Sequence, residues 1–503
     1  MSAEQLGVET TESRRGFIRG LGLFPAVAVN MSQMVGIGPF ITVPLIVTAL
    51  GGPQVMVVWV AGAVLAICDG LVWAELGAAM PAAGGSYVYL REAYQYWLGR
   101  FMPFLFVWTT LLATPLIMST GMIGMAQYVG YFWKDMTHWQ ASFGPITLGA
   151  QQAIAVGFTV VTVALLYRRI ESVAAITKVL WGGMILTVGI VIVASYTHFN
   201  PSVAFSFPKN AFALNAVTLG GVGAALAYAI YDYLGYYTVA YCGDEVRNPG
   251  RVIPWSIILS ILGVMVIDLA MNIGMLGVIP WQKVEKSTSI GSDVLQAAWG
   301  NAGAVIITLL IIWTAFASVY TGLLGASRLP FNAARDRLFF KWFAELHPTM
   351  RFPHVSLLVI GLVTAVASFF TLTDIIAALT ALIILSQFIA QIVGLFLLRY
   401  KQPSLLRPYR QWLYPLPSIV ALIGWLYVFG STPVLSGWKP VILAGVWTAA
   451  GVVGFLVYAY VEKTWPFGPK DLREEFVEEQ REFETGEQAI DQARPAPPRP
   501  EPA

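Results

Sequence analysis

Hydrophobic residues occur along this chain in long, nearly uninterrupted runs separated by short polar segments. Each run is roughly the 20 residues that an α-helix needs to cross the hydrocarbon core of a bilayer. We count twelve runs, which predicts twelve transmembrane helices in an all-α polytopic membrane protein. The runs cover residues 21–50, 55–80, 101–133, 151–168, 173–197, 216–242, 252–279, 301–326, 355–372, 375–398, 416–433 and 441–462.

Two of these runs contain helix-breaking residues near their centres. Residues 35–39 of the first run read Val-Gly-Ile-Gly-Pro. Pro39 lacks an amide hydrogen and clashes with the preceding turn, and the glycines weaken the helix further. Residues 231–235 of the sixth run read Tyr-Asp-Tyr-Leu-Gly and place a carboxyl group near the middle of the bilayer. Close helix packing is the alternative explanation of the glycines, but Pro39 and the matching sixth run favour two broken helices.

The spacing of the two breaks predicts an internal repeat. Breaks at corresponding places, five helices apart, are typical of transporters built from inverted repeats. We therefore expect a ten-helix core over residues 21–398, with repeats at about 21–197 and 216–398. The expected flanking segments are a cytoplasmic N-terminal segment (1–20), helices eleven and twelve (399–465) and a charged cytoplasmic tail (466–503).

Composition restricts the class of protein further. The 503 residues are 57% hydrophobic and 12% charged, whereas a soluble domain is about 25% charged, so an ordinary soluble enzyme is excluded. The net charge of +2 does not suggest nucleic-acid binding. Both cysteines lie in apolar runs, and the four histidines lie near run ends or in loops. We therefore expect no disulfide framework, no metal site and no cofactor.

The distribution of positive charge predicts the orientation in the membrane. Most of the 30 Lys and Arg residues lie in every second loop and near the chain ends. Because cytoplasmic loops are enriched in these residues, we expect an integral protein of a bacterial plasma (inner) membrane with both termini cytoplasmic. The opposite loops contain Lys134, Lys209, Lys283, Lys286 and Lys439.

A broken membrane helix offers binding groups that an intact helix lacks. The start of its second half exposes amide hydrogens with partial positive charge, which can hold a carboxylate. Unwound carbonyl groups can receive an ammonium group. Because an α-amino acid carries both groups on one carbon, two crossing broken helices favour an amino acid as the ligand.

Five motifs along the chain resemble those of the amino acid–polyamine–organocation family of secondary transporters. The resemblance covers about residues 20–462. The motifs are Gly-Ile-Gly-Pro-Phe at 36–40; Ala-Glu-Leu at 74–76, followed by Pro81 and Gly-Gly-Ser-Tyr-Val-Tyr at 84–89; Asp-Glu-Val-Arg-Asn-Pro at 244–249; Ser-Arg at 327–328 with Ala-Arg-Asp at 334–336; and Arg-Pro-Tyr-Arg at 407–410.

The resemblance implies five plus five inverted helices, alternating access and a set of substrate-binding residues. The positions whose amides hold the substrate carboxylate match Gly36, Ile37 and Gly38. The positions around the second break that take the amine match Tyr231, Asp232 and Leu234, followed by Gly235. Tyr231 also matches the aromatic residue that closes over the substrate. The chain departs from the family pattern where Ile37 replaces Ser, where Pro39 replaces Ile, and where Asp232 replaces a small residue.

Lys178, early in the fifth run, is the predicted coupling residue. Sodium-independent family members have a lysine at this position, where the ammonium stands in for a sodium ion between helices one and eight. Such a lysine could also exchange a proton. One alternative is that Lys178 extends to the cytoplasmic surface. The other is a true sodium site that uses the hydroxyl groups of Thr314 and Ser318.

Four further acidic residues lie in or at the ends of predicted spans. Glu75 and Glu245 lie near cytoplasmic ends, where we expect them to pair with loop arginines and latch the inner gate. For Asp69 and Asp268 we favour a structural role as buried, hydrogen-bonded groups. A wall of the water path or a proton route is the alternative for both.

The leading functional hypothesis is secondary active transport of amino acids by alternating access, without sodium, through proton coupling or exchange. A polyamine or organic-cation carrier is the alternative that Asp232 favours. A membrane-embedded enzyme subunit and a non-transporting nutrient sensor are the alternatives from other classes. The expected partners are a small-molecule substrate, protons in the coupled case, and membrane lipid, with no nucleic acid. The side-chain specificity, the direction and the oligomeric state stay open.

Overall fold

The computed structural model describes most of the chain. The described residues are 21–81, 84–133, 135–136, 140–143, 146–167, 170–213, 215–350 and 352–468, with the backbone alone for 170–178, 181 and 244. The predicted N-terminal segment and nearly all of the predicted tail lie outside these residues.

Helices make up nearly all of the described structure. The first group of elements is α1 (Leu23–Met34), α2 (Gly38–Leu50), α3 (Val55–Ala79), α4 (Ser86–Leu98), α5 (Phe101–Val129), the strands β1 (Gln140–Phe143) and β2 (Ile146–Gly149), α6 (Ala150–Leu166) and α7 (Ile170–Thr197). The second group is α8 (Pro201–Ala204), α9 (Ala216–Tyr233), α10 (Thr238–Tyr241), α11 (Pro249–Val278), α12 (Trp281–Val284), α13 (Ile290–Ala326), α14 (Arg328–Arg335), α15 (His354–Ala367), α16 (Leu372–Ile383) and α17 (Ala390–Lys401). The last group is α18 (Leu416–Ser431), α19 (Pro433–Ser436) and α20 (Lys439–Val461).

The predicted hydrophobic runs correspond in order to α1–α2, α3, α5, α6, α7, α9–α10, α11, α13, α15, α16–α17, α18 and α20. Among the described residues, 7 helices are long and apolar enough to cross a membrane, and the bent pair α1–α2 adds one more. The helices α6 and α15, and the part of α7 from Gly182 onward, are apolar but shorter. The count of twelve crossings therefore stays a prediction.

Large apolar side chains point outward from many of these helices. On α20, for example, Ile442, Val446, Val453 and Val457 are exposed. A soluble protein rarely exposes so continuous an apolar surface. This surface is what a lipid-facing helix requires.

The two broken spans pack together at the centre of the bundle. α2 lies against α9, and α1 and α3 both lie against α11. On the other side, α13 packs along α7 and α5. The breaks in the first and sixth spans therefore lie between two groups of longer helices.

Three local features differ from the sequence-based expectation of plain helices and short loops. The segment between the third and fourth spans contains an antiparallel hairpin, in which Gln140 pairs with Gly149. Gly300 has φ 74° and interrupts α13, so the predicted eighth span, from residue 301, begins immediately after a separate helical segment, residues 290–299. The tenth span contains a π-helical segment, Ile384–Ile389, which no hydrophobic pattern reveals.

Candidate functional site

The first span is broken where the sequence predicts it. α1 ends at Met34, and α2 begins at Gly38 and runs at 55° to α1. Pro39 stands in the first turn of α2, where the missing amide hydrogen costs nothing. Within the described residues, the amides of Gly36, Ile37 and Gly38 donate to no other backbone or side-chain atom. These three amides are therefore available to a ligand.

The sixth span is broken at the end of the predicted segment 231–235. Tyr231, Asp232 and Tyr233 remain in the last turn of α9, and the backbone leaves the helix at Leu234, with ψ 129°. Gly235 has φ +117°, a conformation that side-chain-bearing residues rarely adopt. The break is thus centred on Gly235, because the three residues before Leu234 are compatible with a helix.

The two breaks contact each other directly. A Cβ atom added to Gly235 would lie 2.7 Å from Cβ of Gln33 and 3.4 Å from the Met34 nitrogen. On the other side of the first break, a Cβ atom added to Gly36 would lie 2.8 Å from Oγ of Ser318 on α13. The first, sixth and eighth spans therefore meet at one point.

Asn30 is a functional-site candidate that the sequence analysis missed. Its side chain is fully buried, and its Oδ1 accepts a hydrogen bond from the Val239 amide at 2.8 Å. It thereby caps α10, the half-helix that follows the second break. The only sequence signal was a polar residue, close to Ser32 and Gln33, within an apolar run.

Asp232 lies against the start of α2. Its Oδ2 accepts a hydrogen bond from the Thr42 hydroxyl at 2.5 Å. A Cβ atom added to Gly38 would overlap its Oδ1 and lie 2.8 Å from its Cγ. The residue is 2% exposed, and among the described residues its Oδ1 has no hydrogen-bond partner.

Tyr231 and Leu234 lie on either side of the end of α9. The Tyr231 ring is partly exposed, and its hydroxyl forms a short hydrogen bond with that of Thr120 on α5. Leu234 is buried. Tyr231 is therefore held against the third span at the level of the second break.

Glu75 is the centre of a buried ionic network at the end of α3. It accepts hydrogen bonds from Arg399 Nε at 2.9 Å and Arg399 Nη2 at 2.5 Å, and from the Gln411 amide at 2.7 Å. Arg407 Nε lies 3.3 Å from its Oε1. Burial lowers the pKa of Arg407, and the adjacent Glu75 acts in the opposite direction. The network joins the second span to the tenth span and the loop after it.

Glu245 contacts the start of the first span through its backbone. Its carbonyl accepts from the Leu21 amide at 3.0 Å, and the Leu21 carbonyl accepts from the Arg247 amide at 2.9 Å. These bonds form a parallel bridge between Leu21 and Val246. Glu245 thus lies where the start of the first span meets the segment that follows the sixth span.

The remaining two buried carboxyl groups have very different surroundings. Asp69 accepts hydrogen bonds from Trp73 Nε1 at 3.0 Å, Tyr236 Oη at 2.5 Å and Trp425 Nε1 at 3.1 Å. Asp268, on α11, is 2% exposed, and among the described residues its Oδ2 has no hydrogen-bond partner. Asp69 is fully satisfied, whereas Asp268 is not.

The predicted coupling residue lies on α7, but its side chain lies outside the described part of the structure. Lys178 is in the ninth position of that helix. Further along, the hydroxyl of Thr187 accepts from the Thr314 hydroxyl at 2.9 Å. The fifth and eighth spans are therefore joined through side chains at the level of Thr314.

Comparison with known proteins places this geometry in a family. The model of the amino acid permease family matches residues 21–455. The chain belongs to this amino acid permease family. The predicted resemblance and the predicted class, an all-α polytopic membrane protein of the amino acid–polyamine–organocation type, are thus confirmed.

Several permeases and transporters are similar over most of their length. A branched-chain amino acid permease of Bacillus subtilis is 25% identical over 470 residues, covering 90% of this chain and 95% of the relative. A serine/threonine exchanger of the same organism is 24% identical over 457 residues, covering 89% and 98%. The vacuolar cationic amino acid transporter 4 of Arabidopsis thaliana is 26% identical over 393 residues, covering 75% and 63%. The protein is therefore an integral membrane protein of a transporter family.

Proposed function

We propose that this permease carries amino acids across a bacterial plasma membrane by alternating access, as a secondary transporter. The observation that carries the proposal is the meeting of two broken helices, with three free amides at Gly36–Gly38 beside the break at Gly235. Its relatives include amino acid permeases and an exchanger. Both termini are cytoplasmic in this proposal, in agreement with the Lys and Arg distribution.

The two ends of an amino acid would bind to different breaks. The carboxylate would accept hydrogen bonds from the amides of residues 36–38, at the positive end of α2. The ammonium group would face the carbonyl groups at the end of α9, around Tyr231 and Leu234. The side chain would then lie toward Ser318 and Thr120, whose neighbours set the specificity.

Tyr231 and the two glutamates would act as gates in this scheme. Tyr231, held by Thr120, would move with the third span to cover or release the substrate. Glu75, paired with Arg399 and Arg407, would hold the inner side closed. Glu245 would contribute where the first and sixth spans join at the cytoplasmic face.

We further propose that transport does not use sodium. The positive charge of Lys178 would take the place of the ion between the first, fifth and eighth spans. The resemblance to sodium-independent family members, which have a lysine at this position, supports this choice. Proton coupling and exchange are both compatible with the arrangement.

A polyamine or organic-cation carrier is the second candidate function. The buried carboxyl group of Asp232 at the junction of the breaks is the observation that favours it. A carrier of this kind would bind amines that lack a carboxylate, whereas an amino acid carrier would bind them weakly.

Uptake by the purified protein in liposomes distinguishes the two functions. Thermal-shift measurements against the twenty amino acids and a set of polyamines would first identify ligands. We expect stabilisation by amino acids, and uptake of the radiolabelled ligand that excess unlabelled ligand abolishes. Stabilisation and uptake of polyamines alone would contradict the amino acid proposal.

A further inference from the structure

The position of Asp232 conflicts with the simple binding of a carboxylate at the first break. Its carboxyl group lies directly on Gly38, the first residue of α2, and one turn later the Thr42 hydroxyl donates to it at 2.5 Å. The side chain is 98% removed from solvent, and within the described structure one of its oxygens has no hydrogen-bond partner. The chain thus places its own acidic group where an incoming carboxylate must approach.

The described side chains around Asp232 do not neutralise it. From α11, Asp268 is near enough to interact with it electrostatically, and Tyr231 and Tyr233 flank it on α9. Among the described side chains, no Lys or Arg forms an ion pair with Asp232. A buried carboxylate without a cation is costly, and a second carboxyl group nearby increases that cost.

A substrate carboxylate at the amides of residues 36–38 would stand beside this group. Two anions in contact inside a site that excludes water repel each other by several times the thermal energy. The two groups can share the start of α2 only if one of them carries a proton. The proton belongs on Asp232, because the substrate carboxylate would receive the amides of residues 36–38, whereas the Thr42 hydroxyl is the one donor to Asp232 among the described residues.

We propose that Asp232 takes a proton from the surrounding water when an amino acid binds, so that amino acid and proton occupy the site together. This inference rests on the proposed function and names the coupled ion and the group that holds it. Thr42 positions the carboxyl group.

The proposal predicts opposite pH dependence for amino acids and amines. Amino acids bind to protonated Asp232, so their affinity falls as the pH rises, by about tenfold per pH unit once the free carboxyl group is ionised. Amines without a carboxylate bind to ionised Asp232, so their affinity falls as the pH is lowered. Between about pH 5 and pH 7 the substrates themselves keep their charges.

Calorimetry on the intact protein in detergent tests this directly. The probes are L-leucine, L-serine and L-lysine, each paired with the amine that remains when its carboxylate is removed: 3-methylbutylamine, 2-aminoethanol and 1,5-diaminopentane. Titrations in two buffers with different ionisation enthalpies count the protons taken up. We expect close to one proton per amino acid bound at a pH where the free Asp232 is ionised.

Variants assign the proton to its group. In Asp232→Asn, amino acid binding should lose its pH dependence and its proton uptake, and amines should bind more than tenfold more weakly. In Asp268→Asn, amino acid binding should still depend on pH, but the decrease in affinity should begin at a lower pH, because the neighbouring acid is gone. Asp374→Asn, an acid-to-amide change in the first turn of α16, is the matched control and should keep the parent profile.

Several results would overturn the proposal. Amino acid binding that is independent of pH in the parent protein, without proton uptake, would overturn it and leave the proposed function intact. An unchanged pH profile in Asp232→Asn would do the same. If only the amines bind, Asp232 is a counter-ion for cations, and both the inference and the amino acid function fail. The parent titrations decide the question even if Asp232→Asn does not fold.

Discussion

Gly38 is the residue on which the geometry of the site depends most closely. In Gly38→Ala, the new methyl group would lie 2.8 Å from the carboxyl carbon of Asp232 and nearer still to its Oδ1. We expect the variant to lose substrate binding and about 1–3 kcal/mol of stability, the usual cost of overpacking. Thermal melting and uptake in liposomes measure both effects.

Two further variants isolate the cause. Shortening the opposing side chain in Gly38→Ala/Asp232→Ala should restore part of the lost stability, because the overlap disappears. Gly189→Ala on α7, where a Cβ atom would have no neighbour within 4 Å, should melt and transport like the parent. Normal substrate binding by Gly38→Ala would show that the substrate site does not lie at Gly38.

Single residues also show how far the sequence can predict the site. The break at residues 35–39 is encoded locally by Pro39 and its glycines, so the sequence locates it. The sixth-span break lies at the end of the predicted segment 231–235, because Gly235 is the residue that needs a positive φ. The Thr42–Asp232 hydrogen bond joins residues 190 apart in sequence, and only the packing of α2 on α9 brings them together.

At the scale of helices, Asp69 joins three elements whose proximity the hydrophobic pattern of the sequence does not predict. It belongs to α3 and receives hydrogen bonds from Tyr236, beside the sixth-span break, and from Trp425 on α18. In Asp69→Asn, an amide NH₂ group would replace one accepting oxygen and face a donor. We expect a loss of about 1.5–3 kcal/mol, measured by thermal unfolding followed through tryptophan fluorescence.

A graded series checks that the hydrogen bonds are responsible. Tyr236→Phe removes one donor and leaves the two indole groups in place, so it should cost less than Asp69→Asn. Equal melting temperatures for the parent and Asp69→Asn would show that this buried group does not hold the helices together. The sequence favoured a structural role for Asp69. Its donors Tyr236, just before α10, and Trp425, on α18, could not be deduced without the fold.

At the scale of the whole protein, replacement of sodium tests the proposed sodium-independent transport. We expect uptake to be unchanged when sodium is replaced by choline at fixed pH. Lys178→Met should insert and bind substrate, but its uptake should be at least about tenfold slower, equivalent to ~1.4 kcal/mol, because the first, fifth and eighth spans lose a shared charge. Lys439→Met, at the exposed start of α20, is the control and should transport like the parent. Uptake that requires sodium and is unaffected by Lys178→Met would contradict the coupling role of Lys178 and show that its side chain extends to the surface.

The N-terminal half of the first span and the segment after the break in the sixth span are joined at three successive levels. Leu21 pairs with the backbone around Val246, Asn30 with the Val239 amide, and Gly235 packs on Met34. These two paired segments are mechanically stiff, because bending them at one level would break the contacts at the other two. A displacement of the loop around Val246 is then transmitted to the two breaks without an intervening hinge. In the proposed alternating access, the inner mouth would therefore open by moving the paired segments as a unit or by moving their neighbours past them.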